Sequence, residues 1–150
     1  KDQFSDWTPN DFEAFRKDVI EYDQLVKELV LEEMFPEFKP NLCDGQPCKT
    51  YMYDITNHNL GEQHVASQPT LLLIGGLHGS ETIGVQGLMR FIKLAQRLYN
   101  QDPEIFQMLN NSRLLIIPAI NMSAFYRQMF HEPVPWNGGE KMSTPTSTST

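Results

Sequence analysis

The stretch Thr-Leu-Leu-Leu-Ile-Gly-Gly-Leu-His-Gly-Ser-Glu, residues 70–81, decides the fold. Its first part, 70–75, is short and continuously apolar, which is typical of a central strand covered on both faces. Residues 80–99 follow with apolar side chains three and four positions apart, which predicts a helix. A second apolar run at 113–120 predicts another buried strand. Strand, helix and strand in this order indicate a βαβ unit of an α/β protein, with parallel strands and a right-handed crossover.

The segment before this unit is predicted to begin with one long helix over residues 8–34. Thr8 can cap that helix, and Pro9 suits its first position. A single apolar stripe follows at steps of three and four, made of Phe12, Phe15, Val19, Tyr22, Val26 and Leu29. Residues 49–56 are rich in β-forming side chains and predict a strand, and the polar residues 57–69 predict a loop or hairpin connection.

The net charge of −7 lies in the amino-terminal segment. Residues 1–38 contain eleven acidic and four basic side chains, whereas the acidic and basic side chains of the remaining chain are equal in number. Without a basic stripe to neutralise phosphates, nucleic acid is excluded as an expected partner. The apolar runs are all shorter than the roughly 20 residues that a membrane helix needs, so we expect no membrane span.

The two cysteines, Cys43 and Cys48, are separated by four residues that include glycine and proline. They are either two reduced thiols in a loop or a small disulfide-bonded turn, and the Gly and Pro favour the turn. A disulfide indicates an oxidising compartment, so we expect a secreted protein or one of the endo-lysosomal or vacuolar lumen.

His78 and Glu81 are the candidate metal ligands. They follow the apolar strand 70–75, and ligands of open α/β sheets bind outside the carboxyl ends of the strands. Imidazole and carboxylate both bind zinc, and a tight turn at Gly79 allows a loop histidine and a carboxylate of the first helical turn to converge. The spacing alone leaves open an ordinary acid at a helix start and a hydrogen-bonded loop histidine.

The decapeptide Gly-Gly-Leu-His-Gly-Ser-Glu-Thr-Ile-Gly, residues 75–84, resembles the His-x-x-Glu zinc motif of the carboxypeptidase A (M14) family. Residues 115–121, Leu-Ile-Ile-Pro-Ala-Ile-Asn, are similar to the strand of that family that ends at a proline and then an asparagine. The resemblance covers residues 20–130. It implies a three-layer α/β/α fold with a mixed, mainly parallel central sheet, truncated after its first half.

The resemblance also implies roles for individual residues. His78 and Glu81 would be the first two ligands of a zinc ion (Zn2+). Asn121 matches the asparagine of the family's Asn-Pro-Asp-Gly motif, which suggests substrate binding. Arg127 matches the oxyanion-stabilising arginine or is a surface arginine. The third ligand and the general-base glutamate are expected beyond Thr150, because the downstream His131 lies in a proline-flanked loop unsuited to a ligand.

The implied function is zinc-dependent hydrolysis of carboxy-terminal peptide bonds in peptides or proteins with a free carboxy-terminus. The domain division that we predict is an acidic helix segment at 1–40, a partial catalytic domain at 41–136 and a disordered Ser/Thr-rich tail at 137–150. The chain as given is expected to be an incomplete, inactive, monomeric form. Two alternatives remain: an amide hydrolase of the aspartoacylase and desuccinylase group, which shares His-x-x-Glu, and a binding module without catalysis.

Overall fold

The computed structural model describes residues 7–20, 24–38, 40–43 and 45–129. His131 and the predicted tail at 137–150 lie outside the described residues. The helices are α1 (Pro9–Ile20), α2 (Leu31–Met34), α3 (Glu62–Ser67), α4 (Thr82–Leu98), α5 (Pro103–Asn111) and α6 (Met122–Arg127), with a 3-10 turn at His58–Leu60. The strands are β1 (Val26–Val30), β2 (Asn41–Cys43), β3 (Gln46–Cys48), β4 (Tyr51–Ile55), β5 (Thr70–Ile74) and β6 (Arg113–Ile117).

Four strands form the main sheet in the order β1-β4-β6-β5. β5 and β6 are parallel, with Leu71 opposite Leu114, and α4 lies between them in the chain, which confirms the predicted parallel βαβ unit. β4 pairs antiparallel with both β1 and β6, so the sheet is mixed, as expected. Contrary to the prediction, the described part of the sheet is not mainly parallel. The pairs β1–β4 and β4–β6 are antiparallel, and the pair β5–β6 is parallel.

Most of the core lies between one face of the sheet and four helices. The sheet supplies Tyr53, Ile55, Leu114 and Ile116, all buried. Against them pack fully or nearly fully buried side chains of α1, α4, α5 and α6, which are Phe12, Val19, Val85, Met89, Ile92, Ala95, Leu109, Met122 and Phe125. A smaller apolar cluster on the opposite face contains Leu31, Met52 and Ile117. The α/β class that the sequence predicted is therefore confirmed.

The prediction of one helix over residues 8–34 is wrong for its second half. α1 ends at Ile20, and residues 26–30 form the edge strand β1, with Val26 opposite Ile55. The Glu28 carboxylate accepts hydrogen bonds from Arg16 of α1 at 2.6 Å and from the Tyr53 hydroxyl at 3.1 Å. Burial raises the pKa of the Tyr53 hydroxyl, so that hydroxyl stays protonated and donates. These contacts with distant parts of the chain override the local helical periodicity.

Among the described strands, β5 stands at the end of the order β1-β4-β6-β5, so the cover on both faces that the sequence predicts is not found within this part of the chain. It pairs with β6 on one side, and none of the described strands lies on the other. Leu71, Leu72 and Ile74 are 54%, 50% and 55% exposed. The predicted loop at 57–69 also contains a 3-10 turn and α3, joined at Gly61, whose φ of 89° suits glycine. Among the described residues, no helix is long and apolar enough to cross a bilayer.

A disulfide joins Cys43 to Cys48, with the two Cα atoms 5.5 Å apart, as the sequence favoured. It closes the β2-β3 hairpin, whose turn contains Gly45 at a φ of 77°. β2 packs on α6, where the Cys43 sulfur lies 3.8 Å from the Met122 carbonyl oxygen. The hairpin therefore stabilises α6 as well as its own turn.

Replacing Ile92 by alanine is expected to lower the free energy of unfolding by about 2–5 kcal/mol, because its fully buried side chain would leave a cavity. Leu94→Ala on the same helix is the matched control. Because Leu94 is 42% exposed, its replacement should lower the free energy of unfolding by less than half as much. Urea denaturation of the full-length protein measures both. Equal losses would contradict the packing of α4 described above.

Replacing both Cys43 and Cys48 by serine is expected to lower the free energy of unfolding by about 2 kcal/mol, because the unfolded chain regains the entropy that the short ring removes. Urea denaturation with and without a reductant measures this loss. The reduced wild type should match the double variant. A reductant that leaves the wild type unchanged would argue against the bond.

Candidate metal centre

The turn after β5 continues to pair with the chain that follows β6. The Gly75 amide donates to the Ile117 carbonyl at 2.8 Å, and the Gly75 carbonyl accepts from the Ile120 amide at 3.0 Å. The Gly76 carbonyl accepts from the Asn121 amide at 3.2 Å. The ladder between β5 and β6 therefore extends past both strands and fixes the path of the chain toward His78.

Two glycines allow this turn to approach its neighbour. Gly76 has a φ of 61°, and a Cβ there would lie 2.7 Å from the Cα of Ala119. A Cβ on Gly79 would overlap the carbonyl carbon of Ala124 in α6, so this position has no room for a side chain. The Ser80 amide then donates to the Met129 carbonyl at 3.1 Å. The turn therefore contacts the chain just before α6, the middle of α6 and the residue two positions after its end.

His78 and Glu81 lie on this turn, where the Glu81 amide donates to the His78 carbonyl at 3.1 Å. The His78 side chain is half-buried and the Glu81 side chain is exposed. α4 begins at Thr82, so Glu81 occupies the N-cap position, whereas the sequence predicted that it lies in the first helical turn. Its φ and ψ of −91° and 73° are not helical, and its carboxylate makes no capping hydrogen bond. That carboxylate is therefore available to a ligand at the carboxyl end of β5.

The donors at this turn fit zinc in type, since imidazole nitrogen and carboxylate oxygen are both zinc ligands. A catalytic zinc site needs three protein ligands, and the described part of the chain contains no group of three His, Cys, Asp or Glu side chains that could hold a metal. His78 and Glu81 therefore fit as two members of a larger donor set, and their binding of zinc stays a prediction.

The other two predicted site residues both lie at α6. Asn121 is its N-cap residue: the side-chain oxygen accepts from the Ala124 amide at 3.1 Å, and the side-chain nitrogen donates to the Leu77 carbonyl at 3.3 Å. Arg127 is exposed in the last turn of α6. The structure thus brings both residues to the helix that packs on the turn, while their roles in substrate binding and catalysis stay predictions.

A separate cleft of about 230 Å³ lies at the other end of the parallel strands, where β6 begins with Arg113. Its lining includes Asp54, a buried carboxylate that accepts two hydrogen bonds from the Arg113 guanidinium, at 2.8 and 2.7 Å. The hydrogen bonds with Asp54 raise the pKa of Arg113 above its ordinary value. This pair links β4 to β6 and lies at the amino-terminal end of β6, away from His78.

A sequence model of the zinc carboxypeptidase family, peptidase family M14, matches residues 46–123, from β3 to the start of α6. The chain belongs to the zinc carboxypeptidase family. The match includes the whole turn that contains His78 and Glu81. It also confirms the family resemblance on which the roles of these residues were predicted.

Curated members of the zinc carboxypeptidase family share part of the sequence. Carboxypeptidase E of Caenorhabditis elegans is 35% identical over 91 residues, which are 60% of this chain and 18% of that protein. Carboxypeptidase M of Mus musculus is 30% identical over 64 residues, which are 43% of this chain and 14% of that protein. The chain therefore spans less than a fifth of the length of these relatives.

Solved carboxypeptidase structures share the fold at low sequence identity. Thrombin activatable fibrinolysis inhibitor superposes with a TM-score of 0.63 and 14% identity, covering 80% of this chain and 26% of that one. A metallo-carboxypeptidase of Burkholderia cenocepacia superposes with a TM-score of 0.60 and 13% identity, covering 82% of this chain and 29% of that one. The carboxypeptidase-like fold that the sequence predicted is thereby confirmed.

Replacing Gly79 by alanine is expected to destabilise the protein by about 1–3 kcal/mol, because the new methyl group would overlap the Ala124 backbone and displace the turn. Gly84→Ala in α4 is the matched control. Its Cβ would have no atom within 4 Å, so the higher helix propensity of alanine should stabilise by up to about 1 kcal/mol. Urea denaturation measures both, and a neutral Gly79→Ala would contradict the close approach.

Proposed function

We propose that the full-length protein is a zinc metallocarboxypeptidase that hydrolyses the carboxy-terminal peptide bond of a peptide or protein substrate. The observation that supports this most is the position of His78 and Glu81 on one packed turn, at the carboxyl end of β5 and inside the region that matches the zinc carboxypeptidase family. Family membership supports the reaction class, and the donor types on the turn support the metal.

His78 and Glu81 would supply one nitrogen and one oxygen ligand to the zinc. When bound, zinc polarises a carbonyl group and lowers the pKa of a coordinated water toward 7. Glu81 is suited to this role because its carboxylate is exposed, makes no capping hydrogen bond and lies on the turn immediately before α4. A histidine and a glutamate outside the described residues would complete the ligand set and act as general base.

Arg127 is proposed to stabilise the oxyanion that develops on the scissile carbonyl. A guanidinium presents several N–H donors and stays charged at all working pH values, which suits it to that task. Support comes from its exposure and from its place in α6, the helix that contacts the turn through Gly79.

The proposed substrate is a peptide or protein with a free carboxy-terminus, and the proposed location is outside the cell or in the endo-lysosomal or vacuolar lumen. The Cys43–Cys48 disulfide supports that location, because such bonds persist in oxidising compartments. The net charge of −7 argues against nucleic acid as a partner.

Replacing His78 by alanine or Glu81 by glutamine is expected to reduce the zinc bound by the full-length protein from one equivalent to less than about a tenth, because loss of a ligand leaves too few donors. Elemental analysis after dialysis measures this. The matched controls are His64→Ala and Glu62→Gln, which change the same residue types on the exposed surface of α3 and should keep full zinc.

The wild type is expected to cleave a peptide with a free carboxy-terminus and to leave the same peptide intact when that terminus is amidated. Mass spectrometry of the products measures this preference. Cleavage of an N-acyl amino acid in place of the peptide would favour the aspartoacylase-like alternative. A full-length protein that binds no zinc would contradict the proposed function and favour the binding module.

A further inference from the structure

The side chain of Asn121 links the turn after β5, residues 75–81, to α6 through both of its polar atoms. The side-chain nitrogen donates to the Leu77 carbonyl at 3.3 Å, and the side-chain oxygen accepts from the Ala124 amide at 3.1 Å. The backbone amide of the same residue donates to the Gly76 carbonyl at 3.2 Å. Asn121 therefore contacts two successive residues of the turn and also caps the helix beside it.

These contacts lie on both sides of His78. Leu77, immediately before it, accepts the hydrogen bond from Asn121, and Gly79, immediately after it, lies against the Ala124 backbone. Ala124 is the residue whose amide Asn121 caps, so one side chain fixes both the bond before His78 and the helix that contacts the residue after it. The backbone of His78 is thus placed by Asn121 through the residues on each side of it.

The amide group of asparagine can make both of these hydrogen bonds. It offers a donor on one atom and an acceptor on the other, so it can bond a carbonyl and a backbone amide at the same time. Serine could still cap α6, since a hydroxyl oxygen accepts from the amide of the third helical residue, but its short side chain would not reach Leu77. The link to the turn and the cap of the helix can therefore be separated by substitution.

We infer that Asn121 is a positioning residue for the zinc ligand His78, rather than a residue that binds substrate. This inference rests on the proposed function, because it presumes that His78 binds zinc. Side chains that orient metal ligands from outside the ligand set typically change metal affinity by tenfold or more when they are replaced. Asn121 acts through the backbone on each side of the ligand, so its removal should loosen the turn and weaken zinc binding.

The test compares Asn121→Ser with Asp102→Ala in the full-length protein. Asp102 caps α5 by accepting from the Glu104 and Ile105 amides at 2.8 and 3.2 Å, so its loss removes a helix cap away from the turn. Zinc affinity is measured by competition with a chromophoric chelator, and the melting temperature is measured without added zinc. Asn121→Ser should bind zinc about tenfold more weakly with its melting temperature nearly unchanged. Asp102→Ala should lower the melting temperature and leave zinc affinity unchanged.

Kinetics with a peptide substrate separate positioning from substrate binding. At saturating zinc, Asn121→Ser should show a lower kcat with KM within about twofold of the wild type, because only a ligand is displaced. A raised KM together with wild-type zinc affinity would overturn the inference and restore the substrate role. Wild-type zinc affinity in Asn121→Ser would overturn it whatever the kinetics. A wild type that binds no zinc would overturn the proposed function, and the inference with it.

Discussion

Backbone contact between the turn after β5 and α6 is the constraint on which the candidate site depends. Gly79 lies so close to Ala124 that any side chain at position 79 would overlap the α6 backbone. Hydrogen bonds from Ile120 and Asn121 to Gly75 and Gly76 fix the same turn one step earlier. A turn whose conformation is already fixed loses little conformational entropy when a ligand binds to it. It also holds its side chains in a defined geometry, which a binding site needs.

The two ends of the parallel pair β5–β6 differ in how their carboxylate side chains are paired. At the carboxyl ends, the chain leaves both strands and forms the turn and α6, where the exposed Glu81 carboxylate faces solvent and makes no capping hydrogen bond. At the amino-terminal end of β6, the buried Asp54 carboxylate is neutralised within the fold by Arg113 through two hydrogen bonds. The charge at one end is therefore paired within the fold, and the other end presents the carboxylate that we propose as a zinc ligand.

Much of this arrangement is predictable from sequence, because the apolar runs at 70–75 and 113–120 and the helical period between them are local signals. The helical prediction fails at residues 24–30 because Val26 and Leu29 continue the helical spacing, whereas in β1 they lie on opposite faces of the sheet and pack on different apolar clusters. The hydrogen bonds from Arg16 and Tyr53 to Glu28 join distant parts of the chain and leave no local pattern in the sequence. The hydrogen bond from Asn121 to Leu77 could be found only in the tertiary structure, because the two residues are 44 positions apart in the chain.

The most direct test is a crystal structure of the full-length protein with data collected on both sides of the zinc absorption edge. The anomalous difference map should contain one strong peak within about 2.0–2.2 Å of a His78 ring nitrogen and a Glu81 carboxylate oxygen. The turn should follow the same path against α6, with Asn121 bonded to Leu77. A zinc peak bound by other residues, with His78 and Glu81 pointing elsewhere, would contradict the central claim.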